Sequence, residues 1–184
     1  GYSEMLLEGL AGTLNDEQLD YVKTIMDKGE TLLKLISSIL DISQIEAGKV
    51  RLSFEDMSPI ELVSSSVSSI KPQAAKKGVT LEVKMPKELP TVKGDRDRLR
   101  QVLTNLLTNA LKFTSKAGKI RVTLSEISAM EEINDLGYSI EVEDTGLGIP
   151  ADQFEKIFHS FYQVDSSSTR EFGGAGLGLA IVKS

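Results

Sequence analysis

The first quarter of the chain repeats apolar residues at alternating intervals of three and four. This heptad spacing predicts a long amphipathic helix with one apolar seam. Ile25, Leu32 and Ile39 widen the seam into a face of the kind that helical bundles bury. The seam itself consists of Leu19, Val22, Met26, Gly29, Leu33, Ile36 and Leu40.

Capping residues mark both ends of this helix. Asn15 or Asp16 can cap its start, and Gly48 can end it in a left-handed conformation. The preceding GYSEMLLEGL predicts one more helix, so residues 1–47 are expected to form a helical hairpin. Because two helices this apolar cannot bury their faces alone, we favour the pairing of two copies into a four-helix bundle. The alternative is a hairpin that packs on the neighbouring domain.

Beyond residue 48 several short stretches alternate apolar and polar residues, which is the spacing of half-buried strands. The first is KVRLSFEDM, in which Val50, Leu52 and Phe54 alternate. The later ones are VTLEVKM, KIRVTL and YSIEVED, and we expect the last two to form a hairpin.

Helices interrupt these predicted strands. Ser58 can cap the first helix, with Pro59 at the first helical position and Glu61 completing a capping box. The second, DRDRLRQVLTNLLTNALKF, carries one apolar face, and a last helix begins near Gly176. The residues expected to point inward on the second helix are Leu99, Val102, Leu103, Leu106, Leu107 and Ala110. Strands with helices on one face of the sheet predict an α+β fold. We therefore expect a helical hairpin over 1–48 and an α/β sandwich over 49–184.

The composition excludes several classes of function. The net charge of −6 argues against a nucleic-acid partner, which needs a basic face, but it allows a nucleotide. The absence of cysteine excludes disulfides, thiolate metal sites and cysteine nucleophiles. No apolar run approaches a membrane span, so we expect no membrane contact by this chain and a cytoplasmic location. Both ends have helix-like sequence, from which we expect a fragment of a longer protein.

Three polar residues share one face of the second helix. Asn105, Asn109 and Lys112 are spaced by four and three residues. An asparagine oxygen can ligate a hard cation such as Mg²⁺, and a lysine suits a phosphate. The alternative interpretation is a solvated helix face.

An aspartate and two glycines follow the last predicted strand. Asp144 can accept a hydrogen bond from an exocyclic amine such as that of adenine, with Thr145 assisting. Gly146 and Gly148 would let the backbone approach a flat base. A capped turn is the alternative interpretation.

A second glycine cluster precedes the last helix. Such loops present N–H groups to anions, although the spacing matches neither the dinucleotide fingerprint nor a P-loop. A flexible hinge is the alternative interpretation. The cluster consists of Gly173, Gly174, Gly176 and Gly178.

Taken in order, these segments closely resemble the ATP-binding domain of sensor histidine kinases. The hairpin ahead of them resembles that family's dimerisation and phosphotransfer domain, so the resemblance covers nearly the whole chain. It implies an ATPase fold of the Bergerat, or GHKL, type. The matching motifs are NLLTNALKFT for the N box, DTGLGIP for the G1 box, FEKIFHSFYQVD for the F box and GGAGLGLAI for the G2 box.

The resemblance implies a role for each candidate residue. Asp144 would read the adenine amine, with Gly146 and Gly148 lining the base. Asn109 would ligate Mg²⁺, with Asn105 beside it, and Lys112 would contact phosphate. The residues implied at the phosphates through backbone amides are Gly174, Gly176 and Gly178, with Arg170 reaching a phosphate or lying solvated in the lid.

The implied reaction transfers the γ-phosphoryl group of ATP to a histidine and onward to a response-regulator aspartate. The implied partners are a second copy, paired through residues 1–47, and a receiver domain. Residues 150–172 would form a lid over ATP, anchored by Phe158 and Phe161, for which core packing is the alternative.

The chain departs from the family pattern in three ways. The phosphoacceptor histidine of the family lies upstream of GYSEML, and the only histidine here, His159, falls in the F-box segment, where we expect a surface or lid position. Ala175 stands where the family often has a hydroxyl residue. The family's domain also continues past AIVKS. We therefore predict that this chain alone cannot autophosphorylate.

Two other functions compete with a kinase. One is a module that binds nucleotide, or only dimerises, without kinase activity. The other is a relative with the same ATP fold, such as a chaperone, a topoisomerase, a mismatch-repair ATPase or a serine kinase. The heptad hairpin directly before the ATP-binding segments argues against the second.

Overall fold

A computed structural model describes residues 1–127, 137–164 and 175–183. The chain divides into two compact units, Gly1–Gly48 and Lys49–Ser184. The helices are α1 Tyr2–Leu7, α2 Asp16–Glu46, α3 Pro59–Lys77, α4 Arg96–Phe113 and α5 Gly178–Lys183. The strands are β1 Glu55–Met57, β2 Thr80–Lys84, β3 Val92–Gly94, β4 Lys119–Ile127 and β5 Gly137–Asp144. Within the described ranges, no helix combines the length and apolar character needed to cross a membrane.

The first unit is a helical hairpin of unequal arms. The short α1 turns into the 31-residue α2, which begins with a capping box between Asn15 and Gln18. The chain leaves α2 through Gly48, whose φ of +63° is the predicted left-handed conformation. Most of the predicted apolar face of α2 is exposed, including Leu33 at 68%. Within this chain the seam is therefore only partly covered.

The second unit contains two small sheets. In the larger one, β4 lies between β2 and β5, pairing parallel with β2 and antiparallel with β5. The predicted hairpin of the last two strands is thus confirmed. The smaller sheet pairs β1 with β3 in antiparallel register. The sequence did not predict β3.

The predicted strand over KVRLSFEDM is wrong for most of its length. Only Glu55–Met57 forms a strand, and Met57 is its buried residue. Leu52 and Phe54 precede the strand and are 52% and 65% exposed. The alternation of apolar residues there does not reflect burial, because the partner strand β3 is only three residues long.

The helices α3 and α4 pack together over the larger sheet and bury its inner face. Ser58 caps α3 by accepting from the Glu61 N–H at 3.3 Å, and Pro59 stands at the first helical position, as predicted. The sheet contributes Ile120, Val122 and Leu124, each no more than 2% exposed. The helices contribute Leu62, Val63, Val67, Ile70, Leu103, Leu107, Ala110 and Leu111. This is the α+β arrangement expected from the sequence.

The inward face of α4 differs from the prediction at three of the six predicted residues. Leu99 is exposed, and Val102 and Leu106 are only partly buried. Leu111, which was not among the predicted inward residues, is buried instead. The part of α4 that joins the core therefore runs from Leu103 to Leu111.

Candidate functional site

The helix α4 separates an apolar face from a polar one. Its buried residues are all small or aliphatic, whereas Asn105, Asn109 and Lys112 are half-buried. Spacings of four and three residues place the three polar side chains in one row along the helix. The predicted polar face is therefore present, and it lies partly shielded from water rather than fully solvated.

The second glycine motif meets this face at Asn105. The Asn105 side-chain amide donates to the Gly178 carbonyl oxygen at 3.3 Å. A Cβ atom added to Gly178 would lie 3.7 Å from Asn105 Cγ, which is ordinary contact. The fold thus brings together two predicted site residues that are 73 positions apart in the sequence.

The first glycine motif meets the C-terminal end of the same helix, whereas Asn105 lies near its middle. Asp144 is the last residue of β5, and its Oδ1 accepts the Gly146 N–H at 2.7 Å. A Cβ atom on Gly146 would lie 2.6 Å from the carbonyl oxygen of Phe113, the last residue of α4. Only glycine fits in this position, so the turn after β5 lies directly on the end of α4.

The two contacts define the length of the candidate site. Asn105 and Phe113 are separated by eight residues, which is about 12 Å along an α-helix. Asn109 and Lys112 lie between them. The two glycine motifs therefore border the polar face of α4 from its two ends, which is an arrangement suited to an elongated polar ligand.

Lys112 has a partly desolvated charge. Its Nζ lies 4.7 Å from the centre of the Phe113 ring. Burial lowers the pKa of the Lys112 ammonium below its usual range. An anion bound beside it would favour the charged form, so this lysine is suited to a phosphate group.

Thr145 is exposed and follows the last residue of β5, where its N–H donates to the carbonyl of Lys119, the first residue of β4, at 3.0 Å. Its Oγ1 accepts the Lys119 N–H at 2.9 Å and lies 3.0 Å from the position of a Cβ atom on Gly118. That Cβ atom would also overlap the Cγ2 of Thr114, which is fully buried at the end of α4. Thr145 thus ties the turn after β5 to the start of β4, and its assistance to a base stays a prediction.

Two further glycines adopt left-handed conformations. Gly148 has a φ of +68° with open space around its Cβ position. Gly176 has a φ of +69°, and a Cβ atom there would lie 2.6 Å from the Tyr162 carbonyl oxygen. The Gly176 carbonyl accepts the Phe161 N–H at 3.0 Å. The second glycine motif therefore packs on the FEKIFHSFYQVD segment through its backbone.

The aromatic residues of that segment differ in burial. Phe158 is half-buried, and Lys183 Nζ lies 5.4 Å from its ring centre. Phe161 is 63% exposed and has a φ of +65°, so it does not pack in the core of this chain. His159 is exposed, at the surface position predicted for it. The predictions for Arg170, Gly173 and Gly174 lie outside the described residues.

Three residues around the end of α4 were not predicted from the sequence: Lys77, Thr114 and Gly118. Lys77 donates to two carbonyls at the end of α4, and Gly118 lies beside the side chains of Thr114 and Thr145, which leave no room for a Cβ atom. A lysine in the last turn of a helix is a common C-terminal signal, so the residue alone did not indicate a distant partner. The close spacing of Thr114 and Gly118 after a helix also fits an ordinary turn.

Two protein-family models match the chain. The model described as "Histidine kinase-, DNA gyrase B-, and HSP90-like ATPase" matches residues 94–184, which include both glycine motifs and α4. The model described as "His Kinase A (phospho-acceptor) domain" matches residues 1–48. The chain belongs to the histidine kinase family. This histidine kinase chain accordingly combines a helical hairpin with a GHKL-type ATPase fold.

Similar proteins have the same family assignment. The circadian input-output histidine kinase CikA of Synechococcus elongatus is 38% identical over 187 residues, which cover 100% of this chain and 24% of CikA. The crystal structure of full-length ShkA in complex with AMPPNP has a TM-score of 0.77 and 33% identity, covering 99% of this chain and 35% of ShkA. The histidine kinase chain thus spans about a quarter to a third of these proteins.

A third comparison shows the same fold at lower identity. Histidine kinase ThkA, in a crystal structure with the response regulator protein TrrA, has a TM-score of 0.59 and 23% identity. The match covers 87% of this chain and 45% of that one.

Proposed function

We propose that residues 49–184 bind ATP along the polar face of α4 and form the catalytic part of a two-component sensor histidine kinase. The observation that carries this proposal is the contact of both glycine motifs with one helix, at Phe113 and at Asn105. The family match and the AMPPNP complex of ShkA support ATP as the ligand.

Asp144 is proposed to bind the adenine amine. A carboxylate has enough acceptor capacity for two partners, so the Gly146 N–H and an exocyclic amine can bond to it together. The Gly146 backbone cannot be displaced toward α4, because Phe113 occupies that space. The aspartate is thereby held in one position, and Gly148 leaves open space on the other side of the turn.

The phosphates are proposed to lie toward Asn105 and Lys112. Lys112 would neutralise phosphate charge, and the backbone of Gly176 and Gly178 would donate to phosphate oxygens. Arg170 and Gly174 are proposed in the same role from the resemblance alone. The triphosphate would thus extend along the helix face from the base at Phe113.

Mg²⁺ is proposed to bind at Asn109. Among the described residues, no three His, Cys, Asp or Glu side chains come together as a metal site. Mg²⁺ commonly takes few protein ligands and completes its shell with water and phosphate oxygens, so the half-buried Asn109 amide fits that need. Bound there, the ion would neutralise charge on the phosphates.

The proposed reaction transfers the γ-phosphoryl group to a histidine nitrogen. A bond forms between that nitrogen and the γ-phosphorus, the bond to the β–γ bridging oxygen breaks, and ADP leaves with the electron pair. The attacking nitrogen carries no proton, so the other ring nitrogen releases its proton to solvent after the transfer. An aspartate of a response-regulator receiver domain would take the phosphoryl group next. This chain contributes positioning and charge neutralisation through Lys112 and the amide-rich loops.

The proposed partners are a second copy and a receiver domain. The exposed seam of α2 supports a homodimer through residues 1–47. The match of residues 1–48 to a phospho-acceptor domain and the complex of ThkA with TrrA support the receiver domain. Such a partner would place this part of the protein in the cytoplasm.

Calorimetry with Mg²⁺-ATP and an Asp144→Asn variant tests the proposal. The variant keeps an acceptor for Gly146 but replaces one carboxylate oxygen with a donor, so ATP affinity should fall by about ten- to a hundredfold. Glu143→Gln is the matched control, because Glu143 is the neighbouring residue of β5 and pairs with Arg121 at 3.0 Å. Failure of the parent chain to bind ATP would reject the proposal and leave the helical hairpin as the main candidate for function.

A further inference from the structure

The side chain of Lys77 joins the ends of two helices. Lys77 is the last residue of α3, and its Nζ donates to the carbonyl oxygens of Leu111 at 2.7 Å and Lys112 at 2.8 Å. The Lys77 side chain is half-buried. A charged donor from one helix therefore binds the last turn of the helix that carries the candidate site.

Lys77 completes the hydrogen bonding at the end of α4. The last four carbonyls of a helix have no partner within it. The Ala110 carbonyl accepts the Thr114 N–H at 3.0 Å. The carbonyls of Leu111 and Lys112 accept hydrogen bonds from the Lys77 ammonium. The fourth carbonyl, that of Phe113, lies against Gly146. Lys77 thus holds the two carbonyls that immediately precede the contact with the adenine-binding turn.

The sheet explains why the two helix ends are neighbours. Each helix leads into one of two adjacent parallel strands, β2 and β4. The connecting turns are also bonded to each other, since Ala117 N–H donates to the Gly78 carbonyl at 2.9 Å and Thr80 N–H donates to the Gly118 carbonyl at 2.9 Å. The backbone of Lys77 is therefore held next to the end of α4 by these hydrogen bonds. Its ammonium also offsets the negative end of the α4 dipole.

We propose that Lys77 is a positioning residue of the nucleotide site. By fixing the last turn of α4, it sets the location of Lys112 for the phosphates and the Phe113 carbonyl under the turn of Asp144 and Gly146. Without Lys77 two helix-end carbonyls lose their donor, and the turn that connects the two halves of the site loosens. This inference rests on the proposed ATP binding.

A set of lysine variants tests the inference. Lys77→Met keeps the length of the side chain but removes the donor, and it should weaken ATP binding about tenfold or more. Lys76→Met is the matched control, because Lys76 is exposed in the same turn of α3, and ATP affinity should stay within about twofold. Lys77→Arg retains the charge and the donors and should restore part of the affinity. If Lys77→Met does not fold, Lys77→Gln replaces it in the measurement of ATP affinity.

The backbone amide of Gly146 gives a second readout that needs no nucleotide. Its NMR signal in the nucleotide-free protein should move in Lys77→Met and stay in place in Lys76→Met. An unmoved Gly146 signal in Lys77→Met, or equal ATP affinities for the two methionine variants, would overturn the inference. If the parent chain fails to bind ATP while the Gly146 signal still moves, the proposed function falls and the control of the turn by Lys77 stands.

Discussion

The carbonyl oxygen of Phe113 lies 2.6 Å from the position that a Cβ atom on Gly146 would occupy. The same position is 2.6 Å from Asp144 Oδ1, so both sides of the glycine are filled. The end of the site helix and the turn that carries the proposed adenine ligand are therefore in direct backbone contact. Any shift of one displaces the other.

Gly146→Ala should destabilise the fold, whereas Gly148→Asn should leave the unfolding temperature nearly unchanged. The added methyl group at Gly146 has no space and should cost about 1–3 kcal/mol of the free energy of unfolding, with loss of ATP binding. Gly148 has open space but a φ of +68°, which asparagine adopts more readily than other residues. Thermal unfolding would compare the stability of both variants, and calorimetry would measure the loss of ATP binding in Gly146→Ala. Equal effects of the two substitutions would contradict this account.

ATP affinity should fall as the pH rises through the lowered pKa of Lys112. Phosphate favours the ammonium form, so binding raises the pKa of this group and takes up a proton where the free lysine is neutral. The loss should begin below the range of an ordinary lysine, whose pKa is about 10.4. Calorimetry across pH would measure it. Arginine stays charged over this pH range, so the decrease in affinity should disappear in Lys112→Arg. If Lys112→Arg keeps the pH profile of the parent, another group is responsible.

The N-cap of α4 should contribute to acid sensitivity. The Arg98 N–H, at 3.0 Å, and then the Ser53 N–H, at 2.9 Å, hold the pKa of the Asp95 carboxyl below its usual range. The charged form therefore stabilises the fold above the unfolded-state pKa, about 3.9, and this stabilisation is lost as the pH falls through the lowered value.

The variant Asp95→Asn tests this sign. It keeps a capping oxygen but not the charge, so it should be less stable than the parent near neutral pH. The difference between their unfolding temperatures should shrink on acidification below about pH 4. If the difference in unfolding temperature stays constant down to the lowest pH measured, the charge of Asp95 is not the cause of the lower stability.

The α2 seam should determine the oligomeric state. Leu33 is 68% exposed in a single chain, so Leu33→Asp should place a charge in the proposed dimer interface and yield monomers. Lys34→Asp changes the adjacent exposed residue, off the seam, and should leave the dimer intact. Light scattering at matched concentrations would measure both. A monomeric parent chain would reject the homodimer.

Local sequence signals predicted the elements that carry their own periodicity or caps. The N-cap at Asn15, the N-cap of Ser58 with Pro59 and the inward positions Leu103, Leu107 and Ala110 of α4 all correspond to structure. Each signal depends on residues within one or two turns. The order of the motifs along the chain then indicated the family.

Features that depend on distant partners were not predictable in this way. The alternation around Leu52 and Phe54 resembled a strand, but pairing with β3 begins only at Glu55. Similarly, Lys77 finds its acceptor carbonyls 34 and 35 residues away, at the end of another helix. Such contacts are set by the parallel pairing of β2 with β4, for which the sequence gives no register signal.

That parallel pairing also has a consequence for how the chain folds. Parallel neighbours cannot be joined by a tight hairpin, so the segment between β2 and β4 must cross over, and α4 is the helix in that crossover. The entropy of closing this long loop must be overcome before the strands can pair. We therefore expect the larger sheet and α4, the helix that carries the candidate site, to form together in one cooperative step.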